Sequence, residues 1–204
     1  MICWKLKNKQ ALLAGLGLKT GTGPLFVMIG RLTGQKGVDL IPPSISAIAK
    51  DDGRLCILGT GVPEVERTVL DAATPHPNHV RVMVKFDALL AQRLYAAADF
   101  FLMPSRFEPC GLGQLIAMRY GALPIVRDTG GLHDTVRDIR KYRDGTGLIF
   151  RAATPRALAT AVQDALRIYR QPDTITAART RAMNRDFSWD RSAKDYISLY
   201  SHAH

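Results

Sequence analysis

Short apolar runs alternate with longer segments of helical spacing along most of the chain. The apolar runs lack a polar alternation and end at glycines or polar turns, which is typical of parallel strands buried on both faces. They predict strands, each with the turn that follows it, over residues 25–32, 54–61, 80–86, 100–105, 123–131 and 146–150.

The segments between these strands have the spacing of helices. Pro42 and Pro43 lie inside one of them, and because a helix tolerates proline only in its first turn, that helix is expected to start late or to be kinked. Thr154 and Pro155 predict an N-cap followed by proline at the first helical position. The predicted helices cover residues 5–20, 35–50, 64–73, 89–99, 112–120, 154–170, 173–185 and 189–202, with a further short helix after residue 131.

Strands that alternate with helices of this length predict an α/β fold class, a Rossmann-like parallel sheet in three layers with helices on both faces. Ligands of such sheets bind outside the carboxyl ends of the strands. Because most of the unusual residues fall at these ends, the sequence predicts a single ligand site at one edge of the sheet. The predicted ends are Gly30 and Arg31, Gly59 to Gly61, Phe86, Ser105 to Gly113, and Asp128 to Gly131.

Composition restricts the classes of function. The chain has 204 residues, 47% of them hydrophobic, and three cysteines at unrelated spacings. Those spacings indicate neither a disulfide framework nor a metal site. No apolar run is long enough to cross a bilayer and no signal peptide is evident, so we expect a cytoplasmic protein without a membrane partner.

Net charge does not point to nucleic acid. The formal charge is +10, but the basic residues are scattered along the chain rather than clustered. This pattern favours a solvated basic surface over a nucleic-acid interface. Since several basic residues flank glycine-rich turns, an anionic small ligand fits the remaining charge better.

Two phosphate-binding motifs are approximated but not met. The run "GLGLKTG" follows a helix rather than a strand, so it is not a dinucleotide fingerprint, and "GRLTGQKG" lacks the Ser or Thr that a P-loop has after its lysine. Arg31 and Lys36 in the second run could still reach one phosphate across the turn. Ordinary surface charge is an equally open interpretation of both residues.

The run "FEPCGLGQL" contains several candidate ligand-binding residues close together. Gly111 and Gly113 open a helix, whose free N–H groups and positive dipole end favour an anion. Glu108 would repel phosphate, so it suits a neutral hydroxylated group beside the anion, and a helix cap is the alternative. Cys110 has no histidine near it in sequence, which favours a packed residue over a nucleophile. His133, after the second glycine turn, fits either a ligand contact or a structural hydrogen bond.

The last predicted helix has aromatic residues at helical spacing. Trp189, Tyr196 and Tyr200 form this stripe. Such a stripe is more often part of a core than a cofactor site.

Three stretches closely resemble a known family. They are "GRLTGQKGVDLI", "DFFLMPSRFEPCGLGQLIAMRYGALPIVRDTGGLHDTV" and "DFSWDRSAKDYISLY". They resemble the C-terminal half of bacterial glycogen synthases and plant starch synthases, from about residue 9 to 200. The resemblance implies one half of a GT-B fold, in which two Rossmann-like domains face each other across a cleft. It further implies ADP-glucose as donor, elongation of α-1,4-glucan chains with retention at the anomeric carbon, and no metal or other cofactor.

The resemblance also implies roles for individual residues. Arg31 and Lys36 would hold the pyrophosphate, Glu108 would hydrogen-bond hydroxyls of the transferred glucose, and these three form the predicted catalytic set. Phe86 would stack on the base. The rest of the predicted nucleotide-sugar site, mainly backbone, consists of Gly30, Gly59, Gly61, Cys110, Gly111, Leu112, Gly113, Thr129, Gly130 and Gly131.

The sequence departs from the family at several places. Gly113 stands where the family usually has Thr or Asn, Phe86 where it commonly has Tyr, and the two prolines at 42–43 are atypical. The family's N-terminal domain, through which the glucan acceptor would bind, is not in these residues. We therefore expect an excised or truncated piece, cytoplasmic or, from a plant, plastidic.

The expected division has three parts: an N-terminal linker or helix (1–20), the nucleotide-sugar domain (21–186), and a C-terminal helix (187–204) that would cross to the N-terminal domain. The first hypothesis is an ADP-glucose-binding domain of a glycogen or starch synthase, inactive without its other half. A stand-alone nucleotide-binding or interaction module is the alternative. An NAD-dependent oxidoreductase is disfavoured by the missing fingerprint.

Overall fold

The computed structural model describes residues 3–202, with one central sheet. Residues 1–2 and 203–204, the ends of the first and last predicted segments, lie outside the described residues. The strands are β1 (Leu25–Ile29), β2 (Arg54–Gly59), β3 (Val80–Val84), β4 (Phe100–Met103), β5 (Leu123–Arg127) and β6 (Leu148–Phe150).

All strand pairs in this sheet are parallel, in the order β3-β2-β1-β4-β5-β6. The order reverses between β1 and β4, where Phe26 is in register with Phe100. A doubly wound sheet of this order opens a crevice at the carboxyl ends of these two strands. The predicted fold class is therefore confirmed, and the switch point lies between β1 and β4.

Helices cover both faces of the sheet. Their bounds are α1 (Cys3–Gly15), α2 (Pro42–Lys50), α3 (Pro63–Ala73), α4 (Ala88–Ala97), α5 (Gly113–Arg119), α6 (Gly130–Thr135), α7 (Pro155–Tyr169), α8 (Pro172–Met183) and α9 (Trp189–Ser201).

Local signals set several of these bounds. α2 begins late, as expected, with both prolines in its first turn and two short 3-10 turns before it. At α7 the Thr154 side chain accepts a hydrogen bond from the Ala157 N–H, and Pro155 follows it, as predicted. α1 ends earlier than predicted because Gly17 turns left-handed (φ 64°) and the Leu18 N–H bonds back to the Leu13 carbonyl.

Side chains alternate between two apolar layers, one on each face of the sheet. Phe26 and Phe100 point to the layer that contains α2, α3, α7 and α8. Val27 and Phe101 point to the opposite layer, which α1, α4 and α5 cover. The continuous apolar runs of the strands are therefore explained by burial on both faces.

α9 lies outside these layers. None of its residues is buried, and Trp189, Tyr196 and Tyr200 are 84%, 57% and 66% exposed. The interpretation of this stripe as core is wrong, because among residues 3–202 no element covers it. Within the same range no helix has both the length and the apolar character needed to span a bilayer.

Candidate functional site

The loops that follow β1 and β4 meet at the switch point. Lys36 Nζ lies 2.5 Å from Glu108 Oε2, which also accepts a hydrogen bond from Ser105 Oγ at 3.1 Å. The Glu108 side chain is 9% exposed and that of Lys36 is 22% exposed. Two of the three predicted catalytic residues, 72 positions apart in sequence, thus form one ion pair. The helix-cap alternative for Glu108 is wrong, because its carboxylate contacts Lys36 and Ser105 instead.

Arg31, the third member of the set, lies on the neighbouring side of the rim. It lines a cleft of about 410 Å³ between the ends of β1, β2 and β3. Within the described part of the chain its guanidinium makes no ion pair and no side-chain hydrogen bond, and the residue is exposed. An uncommitted guanidinium at a concave rim is well placed to bind an anionic ligand.

The cleft beside Arg31 is mostly apolar. Phe86 forms one wall and is 89% exposed, an unusual state for a large aromatic side chain. Lys85 and Asp87 form an ion pair at the lip (2.8 Å), and the hydrogen bond from Lys85 holds the pKa of the Asp87 carboxyl below its usual value. The floor and sides are formed by Ile29, Gly30, Leu58, Gly59, Thr60, Ala88 and Ala91.

The predicted site glycines at the ends of β1 and β2 allow close approach of backbone to backbone. A Cβ on Gly59 would overlap the carbonyl oxygen of Gly30, and one on Gly61 would overlap that of Leu32. The N–H of Gly61 is taken by the Glu66 carboxylate at 2.6 Å. Gly61 therefore shapes the loop, and its amide is not free for a ligand.

The second glycine turn packs directly on the loop that carries Glu108. The Gly131 N–H donates to the carbonyls of Glu108 (3.1 Å) and Pro109 (2.9 Å). A Cβ on Gly130 would overlap the Glu108 carbonyl, and one on Gly131 would overlap that of Cys110. Sequence reasoning found these glycines but assigned them to the ligand alone, whereas their contacts hold two loops together.

The segment from Cys110 to Gly113 forms the entry to α5, which begins at Gly113. Gly111 is left-handed (φ 72°), and the Gln114 amide donates to the carbonyls of Cys110 (3.1 Å) and Gly111 (3.0 Å). A Cβ at Gly113 would lie 3.0 Å from the Phe101 ring. Gly113, where the family usually has Thr or Asn, therefore leaves space for the buried Phe101 ring beneath the site.

Leu112, Cys110 and Thr129 complete the predicted set. Leu112 is the N-cap residue of α5 and is 70% exposed, while Cys110 is an exposed free cysteine. Thr129 precedes α6 in an extended conformation. The structure thus places all the predicted residues on the same edge of the sheet, in two groups: the Phe86 cleft with Arg31, and the Lys36–Glu108 pair with the glycine loops.

His133 has a structural partner. Its Nδ1 lies 2.6 Å from Asp128 Oδ1, and this hydrogen bond raises the pKa of the imidazole above its ordinary 6.5. Of the two interpretations of His133, the structural hydrogen bond is the one observed. Among residues 3–202, no group of three or more His, Cys, Asp or Glu side chains is arranged to hold a metal ion.

Comparison with known proteins identifies the family. The model of the group 1 glycosyl transferases matches residues 23–167, well over half of the chain. The chain belongs to this glycosyltransferase family. The match covers every strand of the sheet and every predicted site residue.

Similarity to individual proteins narrows the comparison to glycogen and starch synthases. The chain is 45% identical over 201 residues to glycogen synthase of Haemophilus influenzae (strain PittEE) and 47% identical over 197 residues to that of Anaeromyxobacter sp. (strain Fw109-5). The catalytic domain of starch synthase IV from Arabidopsis thaliana, solved with ADP and acarbose, matches with a TM-score of 0.87 and 38% identity over 97% of this chain.

The matched regions cover almost all of this chain but a smaller part of each relative. They take in 96% of this chain and 42% of the length of the two glycogen synthases, and 42% of the starch synthase chain. The predicted resemblance, the GT-B type of fold and the assignment to the glycosyltransferases are confirmed.

Proposed function

We propose that this chain is the ADP-glucose-binding domain of a retaining glucosyltransferase that elongates α-1,4-glucan. The observation that carries the proposal is the Lys36–Glu108 pair at the switch point, next to the open Phe86 cleft. A cation, a carboxylate and an aromatic wall match the three parts of a nucleotide sugar: diphosphate, sugar hydroxyls and base. The ADP found in the similar starch synthase structure supports this assignment.

Each proposed role follows from charge and position. Arg31 and Lys36 would bind the diphosphate and stabilise the negative charge that develops on the leaving group. Glu108, an acceptor when ionised, would hydrogen-bond hydroxyls of the transferred glucose. Phe86 would stack on the base without the hydrogen-bonding hydroxyl of a tyrosine.

We propose that the Lys36–Glu108 ion pair is the state of the site before a ligand binds. Glu108 neutralises Lys36 in a position where both side chains are largely removed from water, and an unpaired charge there would be costly. When a diphosphate approaches, Lys36 would exchange its carboxylate partner for phosphate oxygens. Glu108 would then be free to accept hydrogen bonds from the sugar.

Transfer itself is proposed to need a second domain. The acceptor glucan would bind on the opposite side of the cleft, as the family resemblance implies, with α9 crossing towards that domain. The division at residues 20 and 186 belongs to this proposal. The alternative, a nucleotide-binding module without catalysis, predicts that adding the second domain restores no glucan synthesis.

Calorimetric titration of the chain with ADP, ADP-glucose, UDP and NAD tests the proposal. We expect ADP and ADP-glucose to bind and NAD not to bind. Arg31→Ala or Lys36→Ala should weaken ADP binding by more than about 1 kcal/mol, on the scale of a hydrogen bond between charged groups. Glu108→Ala should weaken ADP-glucose binding without weakening ADP binding, because it removes the carboxylate that competes with the diphosphate for Lys36.

Lys50→Ala is the matched control, since this exposed lysine ends α2 just before β2 begins, at the opposite edge of the sheet. It should bind like wild type. Unchanged ADP affinity in both the Arg31 and the Lys36 variants would refute their assignment. If Glu108→Ala lowered the affinities for ADP and for ADP-glucose equally, the assignment of Glu108 to the sugar would be wrong.

A further inference from the structure

Arg106 joins the two loops that carry the Lys36–Glu108 pair. We infer that Arg106, together with Asp39, is a positioning residue that sets the distance between Lys36 and Glu108, an inference that rests on the proposed function. The family resemblance assigned no role to either residue. Arg106 lies two positions before Glu108, and Asp39 three positions after Lys36.

The contacts of Arg106 form a fork. Its two terminal nitrogens donate to the two carboxylate oxygens of Asp39, each at 2.7 Å, and one of them also donates to the Gly34 carbonyl at 2.7 Å. Its backbone N–H donates to the Gln35 carbonyl at 2.8 Å. Bidentate contacts of this kind fix direction as well as distance. The hydrogen bond from Arg106 holds the pKa of the Asp39 carboxyl below its usual value.

Arg127, at the end of β5, holds the same loop from the other side. Its guanidinium donates to the carbonyls of Ser105 (2.7 Å) and Arg106 (2.5 Å). Ser105 in turn donates its hydroxyl to the Glu108 carboxylate. The loop after β4 is therefore held between the loop after β1 and the end of β5.

The loop after β1 lies very close to this segment. Gly37 is left-handed (φ 67°), and a Cβ there would overlap the Pro104 carbonyl. Two loops held by backbone contact and by the Arg106 fork leave little freedom to the residues between them. The groups of a binding site work only when they are held to within about 0.5 Å of the productive geometry, so the Arg106 fork is expected to affect binding although it lies on the surface.

The experiment compares Arg106→Gln and Asp39→Asn with wild type by calorimetry and by amide hydrogen exchange. We expect each variant to bind ADP-glucose about 10-fold more weakly, with nearly unchanged thermal stability because the pair is 39% exposed on both sides. The double variant should be no weaker than either single one. Amides at residues 105–108 should exchange faster in the unliganded variants.

A second comparison separates positioning from a general structural effect. If Arg106 sets the distance between Lys36 and Glu108, Arg106→Gln should cost less ADP-glucose affinity in the Glu108→Ala background than in wild type, because one of the two positioned groups is then absent. Additive losses would overturn the inference. Arg137→Gln is the matched control, because Arg137 forms a similarly exposed pair with Asp144 at 2.8 Å. It should leave the ADP-glucose affinity unchanged.

The two readouts distinguish this inference from the proposed function. Wild type that binds neither ADP nor ADP-glucose would count against the proposed function. The positioning role would then be decided by exchange in the free chain. Unchanged exchange at residues 105–108 in Arg106→Gln overturns it, and so does unchanged ADP-glucose affinity in variants of a wild type that binds.

Discussion

Single residues at the rim act mainly on the backbone of neighbouring loops. Gly37, Gly130 and Gly131 each lie where a Cβ would overlap a carbonyl of the loop after β4. The positions of Glu108 and its neighbours therefore depend on glycines that need not touch a ligand. Substitution at these glycines should therefore lower the free energy of unfolding, whether or not they contact a ligand.

Gly131→Ala should destabilise the fold by about 1–3 kcal/mol, because the added methyl overlaps the Cys110 carbonyl and the surrounding backbone must shift. Urea unfolding measures the change in the free energy of unfolding. Gly34→Ala is the control, since nothing lies within 4 Å of a Cβ there. Equal midpoints for the two variants would contradict the packing role of Gly131.

The contact between His133 and Asp128 can be tested through the pKa of the imidazole. Asp128→Asn should lower the pKa of the His133 imidazole towards 6.5, which NMR titration of the ring measures. Because the folded-state pKa is raised, the stabilisation by this pair is present below about pH 6.5 and is lost as the pH rises through the folded pKa. At 67% exposure of the His133 side chain the effect should be a few tenths of a kcal/mol. A pKa unchanged by the substitution would show that Asp128 does not set it.

At the scale of elements, α1 is attached to the sheet by buried charges. Lys9 Nζ lies 2.8 Å from Asp99 Oδ2, which also accepts the Leu25 N–H at the start of β1, and Arg179 of α8 donates to the other oxygen of Asp99. Sequence reasoning missed this cluster. The sequence does contain a signal for it: Lys5 and Lys9 are spaced so that they lie on the same face of α1 as the buried Leu12.

Lys5 gives this attachment a dependence on pH. Burial lowers the pKa of Lys5 to about 7, from an ordinary 10.5. Between these values the unfolded chain holds a proton that the folded chain has released, so stability should rise with pH. Lys5→Met should remove this contribution, with a difference in slope of up to about 1.4 kcal/mol per pH unit.

Denaturant unfolding at several pH values between 7 and 10 measures the slope. Lys7→Met is the control on the same helix, because Lys7 is exposed and should leave the slope unchanged. A Lys5→Met variant with the wild-type slope would show that Lys5 does not titrate differently in the folded chain.

At the scale of the whole molecule, the sheet and its two layers form one body from which α9 extends. Removal of residues 189–204 should shift the thermal midpoint by less than about 3 °C, since α9 buries none of its residues against the described chain. Lys9→Met is the positive control, because it leaves Asp99 with less compensation in the core and should cost about 3–5 kcal/mol. Calorimetric scans compare the variants. A large loss on truncation would show that α9 stabilises the domain.

The order of strands and helices, and the edge of the sheet that carries the predicted site residues, followed from the amino-acid sequence alone. Uninterrupted apolar runs required burial on both faces, and strand-helix alternation required parallel pairing, which puts all carboxyl ends together. Those are local patterns, so they can be read without coordinates. The motif around Glu108 and the Thr154–Pro155 helix start belong to the same class.

Which of these residues lie in contact could not be read from the sequence, because it depends on how the whole chain packs. The Lys36–Glu108 pair, the Arg106 fork and the Lys9–Asp99 cluster join positions far apart in the chain, and no periodicity records such distances. The exposure of the α9 aromatic stripe is of the same kind, since helical spacing gives a face but not what covers it. Physical contact across the sheet depends on how loops pack, and that packing is fixed only when the whole chain is folded.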